Sequence, residues 1–142
     1  MNTLRINASL NMLSTAVDFI KTSVDNISCP KDACSDILTA CEEVIVNIIS
    51  YAYPSGHQGL IEISVKSTPG IFVEITISDF GKPFDPLSIP DPDIGKPIEE
   101  RQIGGLGIFL VKNMMDDVKY TRDRGVNILR LVKRLDLPKI QE

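Results

Sequence analysis

The stretch that decides the fold begins with the residues DFGKPFDP at positions 79–86, at the end of an apolar alternating run. It closes with GGLG at positions 104–107, which leads directly into the apolar residues IFLV at positions 108–111. Glycines at the start of a helix offer backbone N–H groups that no side chain obstructs, and the helix dipole there favours negative charge. A polar strand end, a long connection and a glycine-rich helix start together predict a nucleotide-binding site.

The connection inside this stretch, residues 82–103, is too rich in proline to be a helix or a central strand. It contains five of the nine prolines of the chain, namely Pro83, Pro86, Pro90, Pro92 and Pro97. Structureless connections longer than about 15 residues are usually lids, binding loops or disordered segments. We therefore expect residues 82–103 to form a lid with glycine hinges at both ends. Arg101 could reach a terminal phosphate from the second hinge, and an ordinary exposed arginine is the slightly favoured alternative.

The composition is that of one soluble globular domain, which we assign to residues 1–142. Hydrophobic residues make up 43% of the chain and charged residues 24%, and the net charge of −4 argues against a direct nucleic-acid contact. No apolar run is long enough to span a membrane, and no signal peptide is visible, so we expect a cytoplasmic protein without membrane contact. The three cysteines lack the spacing of a zinc site, and their number is odd for a disulfide framework.

Hydrophobic periodicity predicts the element order β-α-α-β-β-loop-α-β-β. The predicted strands are Leu4–Ala8, Leu60–Thr68, Ile71–Ser78, Val118–Arg122 and Asn127–Arg134. The first predicted helix follows Ser9, which could cap it, and the other two begin at Lys31 and Leu106. The second helix is expected to end near Tyr53 and the third near Asp117, and Pro69-Gly70 is expected to form a hairpin turn. Helices on one face of a largely antiparallel sheet give a two-layer α/β (α+β) sandwich rather than a doubly wound sheet.

The long second helix separates into an apolar and a polar side at about 100° per residue. The apolar stripe consists of Ile37, Cys41, Val44, Ile45, Ile48 and Ala52. On the opposite side, Glu43 and Asn47 lie four residues apart and are therefore neighbours one turn from each other. Asparagine is unfavourable in the middle of a helix, and the neighbouring Val46 would stay partly exposed if this face contacted only solvent. The pair could supply a proton acceptor and a ligand for hydrated magnesium, although a solvated face is the commoner outcome of such a pattern.

The glycines and Asp79 leave several interpretations open. The GGLG segment is not a P-loop, because no Gly-Lys-Ser/Thr follows, and no strand stands immediately before it as a dinucleotide fingerprint requires. The triplet at 79–81 matches the magnesium-binding triplet of protein kinases, but the other signatures of that fold are absent. Asp79 at a strand end could accept a hydrogen bond from an exocyclic amine such as that of adenine, or could simply form a turn.

Three motifs taken together resemble those of a known superfamily. They are Glu43-x-x-x-Asn47, Asp79-x-Gly81-x-Pro83-Phe84-Asp85-Pro86 and Gly104-Gly105-Leu106-Gly107. Their order and spacing resemble the gyrase/Hsp90/histidine-kinase/MutL ATPase superfamily. The Pro-Phe-Asp-Pro continuation, the short chain and the strand Asn127-x-Leu129-x-Leu131 resemble its anti-sigma-factor serine kinase branch most closely. This resemblance implies a Bergerat ATP-binding fold, whose mixed, mostly antiparallel sheet is covered on one face by helices.

The resemblance also implies a role for each site residue. Asn47 would hold Mg²⁺, Glu43 would be the general base, and Asp79 would bind the adenine amine of ATP. Gly81 would lie against the adenine side. Gly105, Leu106 and Gly107 would meet the phosphates through backbone N–H groups. From their position in the sequence, Gly104 and Arg101 are expected at the same end of the nucleotide.

The function implied by the resemblance is a protein serine kinase. Such a kinase transfers the terminal phosphate of ATP to a serine of a small antagonist protein with the STAS fold, and also binds a sigma factor; many members form homodimers. Two alternatives stay open: a nucleotide-switched binding module without turnover, and a detached histidine-kinase ATP domain. Tyr51 stands where many members have histidine, which leaves the role of this position open.

Overall fold

The computed structural model of the protein describes residues 1–54, 59–88 and 105–135. Its strands are β1 (Asn2–Asn7), β2 (Leu60–Thr68), β3 (Phe72–Asp79), β4 (Asp117–Asp123) and β5 (Val126–Arg134). Its α-helices are α1 (Leu13–Asp25), α2 (Lys31–Tyr51) and α3 (Gly105–Met114), with short 3-10 turns at Leu10–Met12 and Pro86–Ser88. The predicted order of strands and helices is confirmed for the described residues, although the segment after Ser9 begins as a 3-10 turn and α1 starts only at Leu13.

The five strands form one sheet in the order β1-β2-β3-β5-β4. All four pairings between these strands are antiparallel, so this part of the chain contains no parallel pair of the kind a mixed sheet would have. Pro69-Gly70 turns between β2 and β3 as predicted, with φ of 74° at Gly70. The placement of β5 between β3 and β4 positions two polar residues together, because it brings Asn127 opposite Asp79 at the ends of neighbouring strands.

The helices cover one face of the sheet, and the core lies between the two layers. Alternate residues of the central strands are buried there, for example Ile61 and Ile63 of β2, and Ile75 and Ile77 of β3. All six residues of the predicted apolar stripe of α2 are buried as well. The two-layer sandwich is therefore confirmed. Among the described residues, no helix combines the length and apolar character needed to cross a membrane.

The predicted ends of two helices differ from the observed ones. Helix α2 stops at Tyr51 rather than near Tyr53, because the residue before Pro54 is disfavoured in helical conformation. Helix α3 stops at Met114 rather than near residue 117, because the N–H of Asp116 already bonds to β5 and β4 begins directly afterwards. The ammonium group of Lys133 binds the carbonyl oxygen of Met114 at 2.6 Å and so caps this helix end.

The same ammonium group binds Oδ2 of Asp36 on α2 at 3.0 Å. Lys133 thus connects β5 with both helices that frame the site. Asp36 lies on the polar side of α2 together with Glu43 and Asn47, but its carboxylate takes part in this structural ion pair.

Candidate active site

Asp79, the last residue of β3, is 5% exposed and lies at the bottom of a pocket. Its Oδ1 accepts two hydrogen bonds of 2.9 Å each, from the backbone N–H of Gly81 and from Nδ2 of Asn127. Within the described ranges, Oδ2 receives no hydrogen bond. The carboxylate is therefore held by one oxygen while the other stays available to a ligand.

Asn127 belongs to the hydrogen-bond network of the candidate site, a role that sequence reasoning did not assign to it. Its Nδ2 donates to Asp79 and, at 2.8 Å, to the carbonyl oxygen of Lys82. Its Oδ1 accepts from the hydroxyl of Tyr120 at 2.6 Å and from Nη1 of Arg122 at 2.9 Å. Every donor and lone pair of the amide is used. The sequence did contain an indication of this role. Position 127 falls on the buried side of β5 in the same alternation as Leu129 and Leu131, and yet it is polar.

Gly81 allows the turn after β3 to press against the C-terminal end of α2. A Cβ at this position would lie 2.1 Å from the carbonyl oxygen of Ala52, which is backbone and cannot rotate away. The N–H of Lys82 donates to that same carbonyl at 3.0 Å, and Arg122 donates to the carbonyl of Gly81 at 3.1 Å. Glycine is therefore required here by close approach, and the turn that carries Asp79 is fixed in place.

Tyr53 holds the turn from its other side. Its hydroxyl donates to the carbonyl oxygen of Leu60 at 2.5 Å and accepts the N–H of Phe80 at 2.8 Å. Burial raises the pKa of this phenol above its ordinary value, and the nearby carboxylate of Asp79 adds to the rise, while the two backbone hydrogen bonds oppose it. The phenol consequently stays neutral and can keep donating.

The pocket above Asp79 is formed by α2, the end of β3, the turn after it, α3, β4 and β5. Its empty space is about 470 Å³, which includes its opening to solvent. The lining residues are Val44, Asn47, Ile48, Tyr51, Ala52, Ile77, Asp79, Lys82, Phe84, Pro86, Ile108, Tyr120, Asn127 and Leu129. Mainly apolar walls with a few converging polar groups are typical of small-molecule sites. The structure thus brings the predicted residues Asn47 and Asp79 together in one pocket.

Glu43 lies one helical turn from Asn47, against the beginning of α3. A Cβ on Gly107 would be 2.8 Å from Oε2 of Glu43, so this carboxylate packs directly on the glycine. Both Glu43 and Asn47 are half-buried, and neither side chain hydrogen-bonds to another residue of the described ranges. A half-buried carboxylate and amide that have no hydrogen-bond partner among the described residues fit a site for a hydrated cation and phosphate oxygens.

The donor set suits magnesium rather than a metal held entirely by the protein. The described part of the chain contains no cluster of three or more His, Cys, Asp or Glu side chains able to hold a metal. Magnesium usually keeps several waters and binds through one or two protein oxygens together with substrate phosphates. The amide oxygen of Asn47, with the carboxylate of Glu43 nearby, meets that requirement.

The remaining predicted residues are placed only in part. Gly105, Leu106 and Gly107 are the first residues of α3, one residue earlier than the predicted start of that helix. Arg101, Gly104 and the segment 89–103 of the predicted lid lie outside the described residues. The first part of that predicted lid, 82–88, is tied to the site by Lys82 and places Phe84 and Pro86 in the pocket wall.

Comparison with known proteins identifies the family. Residues 6–133 match the model of the histidine kinase-like ATPase domain. The chain is 32% identical over 111 residues to the serine-protein kinase RsbW of Listeria monocytogenes, covering 75% of this chain and 69% of that protein. It is 33% identical over 95 residues to the serine/threonine-protein kinase BtrW of Bordetella bronchiseptica, covering 66% of each chain.

Solved structures agree on the fold. The RsbU and RsbW domains of a Mycobacterium tuberculosis protein superpose with a TM-score of 0.66 at 16% identity, covering 95% of this chain and 32% of that one. The histidine kinase domain of a blue-light activated kinase from Erythrobacter litoralis superposes with a TM-score of 0.57 at 14% identity, covering 87% of this chain and 61% of that one. The chain therefore belongs to the histidine kinase-like ATPase domain family.

Proposed function

We propose that the protein is an ATP-dependent protein serine kinase of the anti-sigma-factor type. The observation that carries the proposal is the convergence of Asn47 and Asp79 on one pocket, with Glu43 one turn away at the start of α3. The names of the relatives, a serine-protein kinase and a serine/threonine-protein kinase, support the same class of reaction. The proposed acceptor is a serine of a small STAS-fold antagonist protein.

Asp79 is proposed to recognise adenine. Its Oδ2, which has no partner among the described residues, would accept a hydrogen bond from the exocyclic amine of the base. Asn127 and the N–H of Gly81 hold the other carboxylate oxygen at 2.9 Å each, so the acceptor is already oriented before the nucleotide binds. A base that carries a carbonyl in place of the amine would set two acceptors against each other, and guanine nucleotides should therefore bind poorly.

The phosphate end is proposed to lie at the start of α3. The first N–H groups of a helix lack partners within it and favour anions, and here they belong to Gly105, Leu106 and Gly107. The amide oxygen of Asn47 would hold magnesium. When bound, the ion neutralises charge on the phosphate oxygens as the terminal phosphoryl group is transferred.

Glu43 is proposed to act as the general base. Its carboxylate accepts the proton of the partner serine while the serine oxygen forms a bond to the terminal phosphorus. The bond from that phosphorus to the bridging oxygen breaks at the same time, and ADP leaves with the electron pair. Glu43 then releases the proton to solvent. A proton acceptor must lie within about 2.6–3.2 Å of the hydroxyl, so the docked partner has to place its serine beside α2.

The wider proposal is partner switching. The kinase would hold either the antagonist or an RNA polymerase sigma factor, act in the cytoplasm as a homodimer, and make no direct contact with nucleic acid. Phosphorylation of the antagonist would decide which partner is held.

The deciding experiment is phosphotransfer from ATP labelled in its terminal phosphate to a purified candidate antagonist. We expect label on a partner serine with the wild-type protein, and at least about 100-fold less with Glu43→Gln, which keeps size and polarity but cannot accept the proton. Glu42→Gln is the matched control, because Glu42 is the neighbouring residue of α2 and its side chain is exposed. Full transfer by Glu43→Gln would refute the base assignment. Tight ATP-dependent binding of the partner without label would instead identify a nucleotide-switched binding module.

A further inference from the structure

We propose that the missing side chain of Gly107 keeps open the space occupied by the carboxylate of Glu43, so that Gly107 is a positioning residue for the general base. The contact itself is independent of the proposed function, whereas its consequence for phosphotransfer rests on that function.

The backbone of Gly107 does not require glycine. Its position is the third residue of α3, and the positive φ angles of glycines in the described ranges occur at Gly70 and Gly125 instead. Glycine is, after proline, the poorest helix former, so local conformation alone would favour almost any other residue here. Helix conformation therefore does not explain the glycine, and the space beside it shows what a side chain would meet.

The space that a side chain would take is already filled by Glu43. A Cβ at position 107 would lie 2.8 Å from Oε2 and 3.7 Å from Cδ of Glu43. Apart from the neighbouring residues 106 and 108 and the backbone of α3, no other described atom lies within 4 Å of that point. Among the described residues outside α3, a methyl group at this position would therefore meet the carboxylate of Glu43.

Displacement of the carboxylate would be easy, and for that reason it would be functionally costly. The carboxylate is the far end of a flexible side chain, and it has no hydrogen bond to a described residue that would resist rotation. A Gly107→Ala variant should therefore keep its fold while the carboxylate moves. A shift of about 1 Å in a reacting group can reduce a rate by about 100-fold.

The contact can be tested on the nucleotide-free protein by thermal unfolding of four proteins: the wild type, Gly107→Ala, Glu43→Ala and the double variant. Without the carboxylate, Gly107→Ala should raise the melting temperature by about 2–4 °C through better helix propensity. With Glu43 present the rise should be smaller or absent, because the side chain must first be displaced. Equal shifts in the two backgrounds would overturn the proposal.

The positioning role is tested by measuring nucleotide affinity and transfer separately. Gly107→Ala should lower transfer by about 100-fold at saturating ATP, with the dissociation constant of ATP measured separately by titration calorimetry so that any change in binding is accounted for. In a Glu43→Gln background the same substitution should cause no further loss of transfer. Unchanged transfer would overturn the role, and so would a loss fully explained by weaker ATP binding. If the wild type transfers no phosphate at all, the proposed function fails, and the thermal measurement still decides the contact.

Discussion

Replacing Asn127 by aspartate preserves the shape of the side chain and removes both donors of its amide. In the native structure Nδ2 lies 2.9 Å from Oδ1 of Asp79 and 2.8 Å from the carbonyl oxygen of Lys82. In Asn127→Asp this atom becomes a carboxylate oxygen that faces two acceptors. Two carboxylates at such a distance cannot both be ionised, so the pair keeps a proton and one pKa of the pair rises.

The size of the destabilisation follows from the difference in pKa between the folded and unfolded states. A rise of about 2–3 pKa units, moderated by the guanidinium of Arg122 on the other oxygen, corresponds to about 3–4 kcal/mol of unfolding free energy. A carboxyl group whose pKa in the folded protein is higher than its pKa of about 3.9 in the unfolded chain stabilises the fold fully only when the pH is below about 3.9. The contribution is lost as the pH rises through the folded pKa. The variant should therefore approach wild-type stability near pH 4 and be destabilised at neutral pH.

Urea unfolding of the wild type and Asn127→Asp at about pH 4.5 and about pH 8 measures this directly. We expect the difference in unfolding free energy between the two proteins to grow by about 2–3 kcal/mol at the higher pH. Asn113→Asp is the matched control, because Asn113 is exposed on α3 and donates to the carbonyl oxygen of Phe109 at 2.7 Å. The reasoning is refuted if the destabilisation of Asn127→Asp is the same at both pH values.

Three further experiments test the site and the core beside it. Asn47→Ala should abolish the magnesium-dependent part of ATP binding measured by calorimetry, whereas Asn113→Ala should leave it unchanged. Gly81→Ala should lower the unfolding free energy by about 1–3 kcal/mol in urea titrations, because its Cβ would meet the carbonyl oxygen of Ala52 at 2.1 Å. Burial raises the pKa of the Cys41 thiol to about 12, so this thiol should resist alkylation at about pH 8 until the protein unfolds. Rapid labelling of Cys41 in the folded protein would contradict the packed α2 core.

The elements and the core of this protein could be predicted from the sequence because their signals are local. The apolar stripe of α2 repeats every three or four residues, and β2 and β3 alternate on either side of Pro69-Gly70. The ends of the helices were predicted less accurately. Helix α3 ends where the N–H of Asp116 bonds to β5, and β5 is distant in sequence, so local patterns do not indicate this end.

The role of Asn127 depends on an arrangement that periodicity does not reveal. Its contact with Asp79 exists because β5 inserts between β3 and β4, and sequence order alone would equally allow β4 beside β3. The contact between Glu43 and Gly107 similarly requires that α3 lie along the polar side of α2. Sequence spacing can predict that Glu43 and Asn47 share a helix face, but it cannot show which element covers that face.

The two ends of the candidate site are held in different ways, and this difference bears on how it works. Asp79 is fixed by hydrogen bonds that span β3, β5 and the following turn, so little reorientation would be needed for the proposed binding of a base. Glu43 and Asn47 have no hydrogen-bond partner among the described residues and are placed by packing alone. Substitutions around Asp79 should therefore act on stability and nucleotide affinity together. Substitution of Glu43 should instead separate affinity from transfer, because the proposed role of its carboxylate is to accept the proton of the acceptor serine rather than to bind the nucleotide.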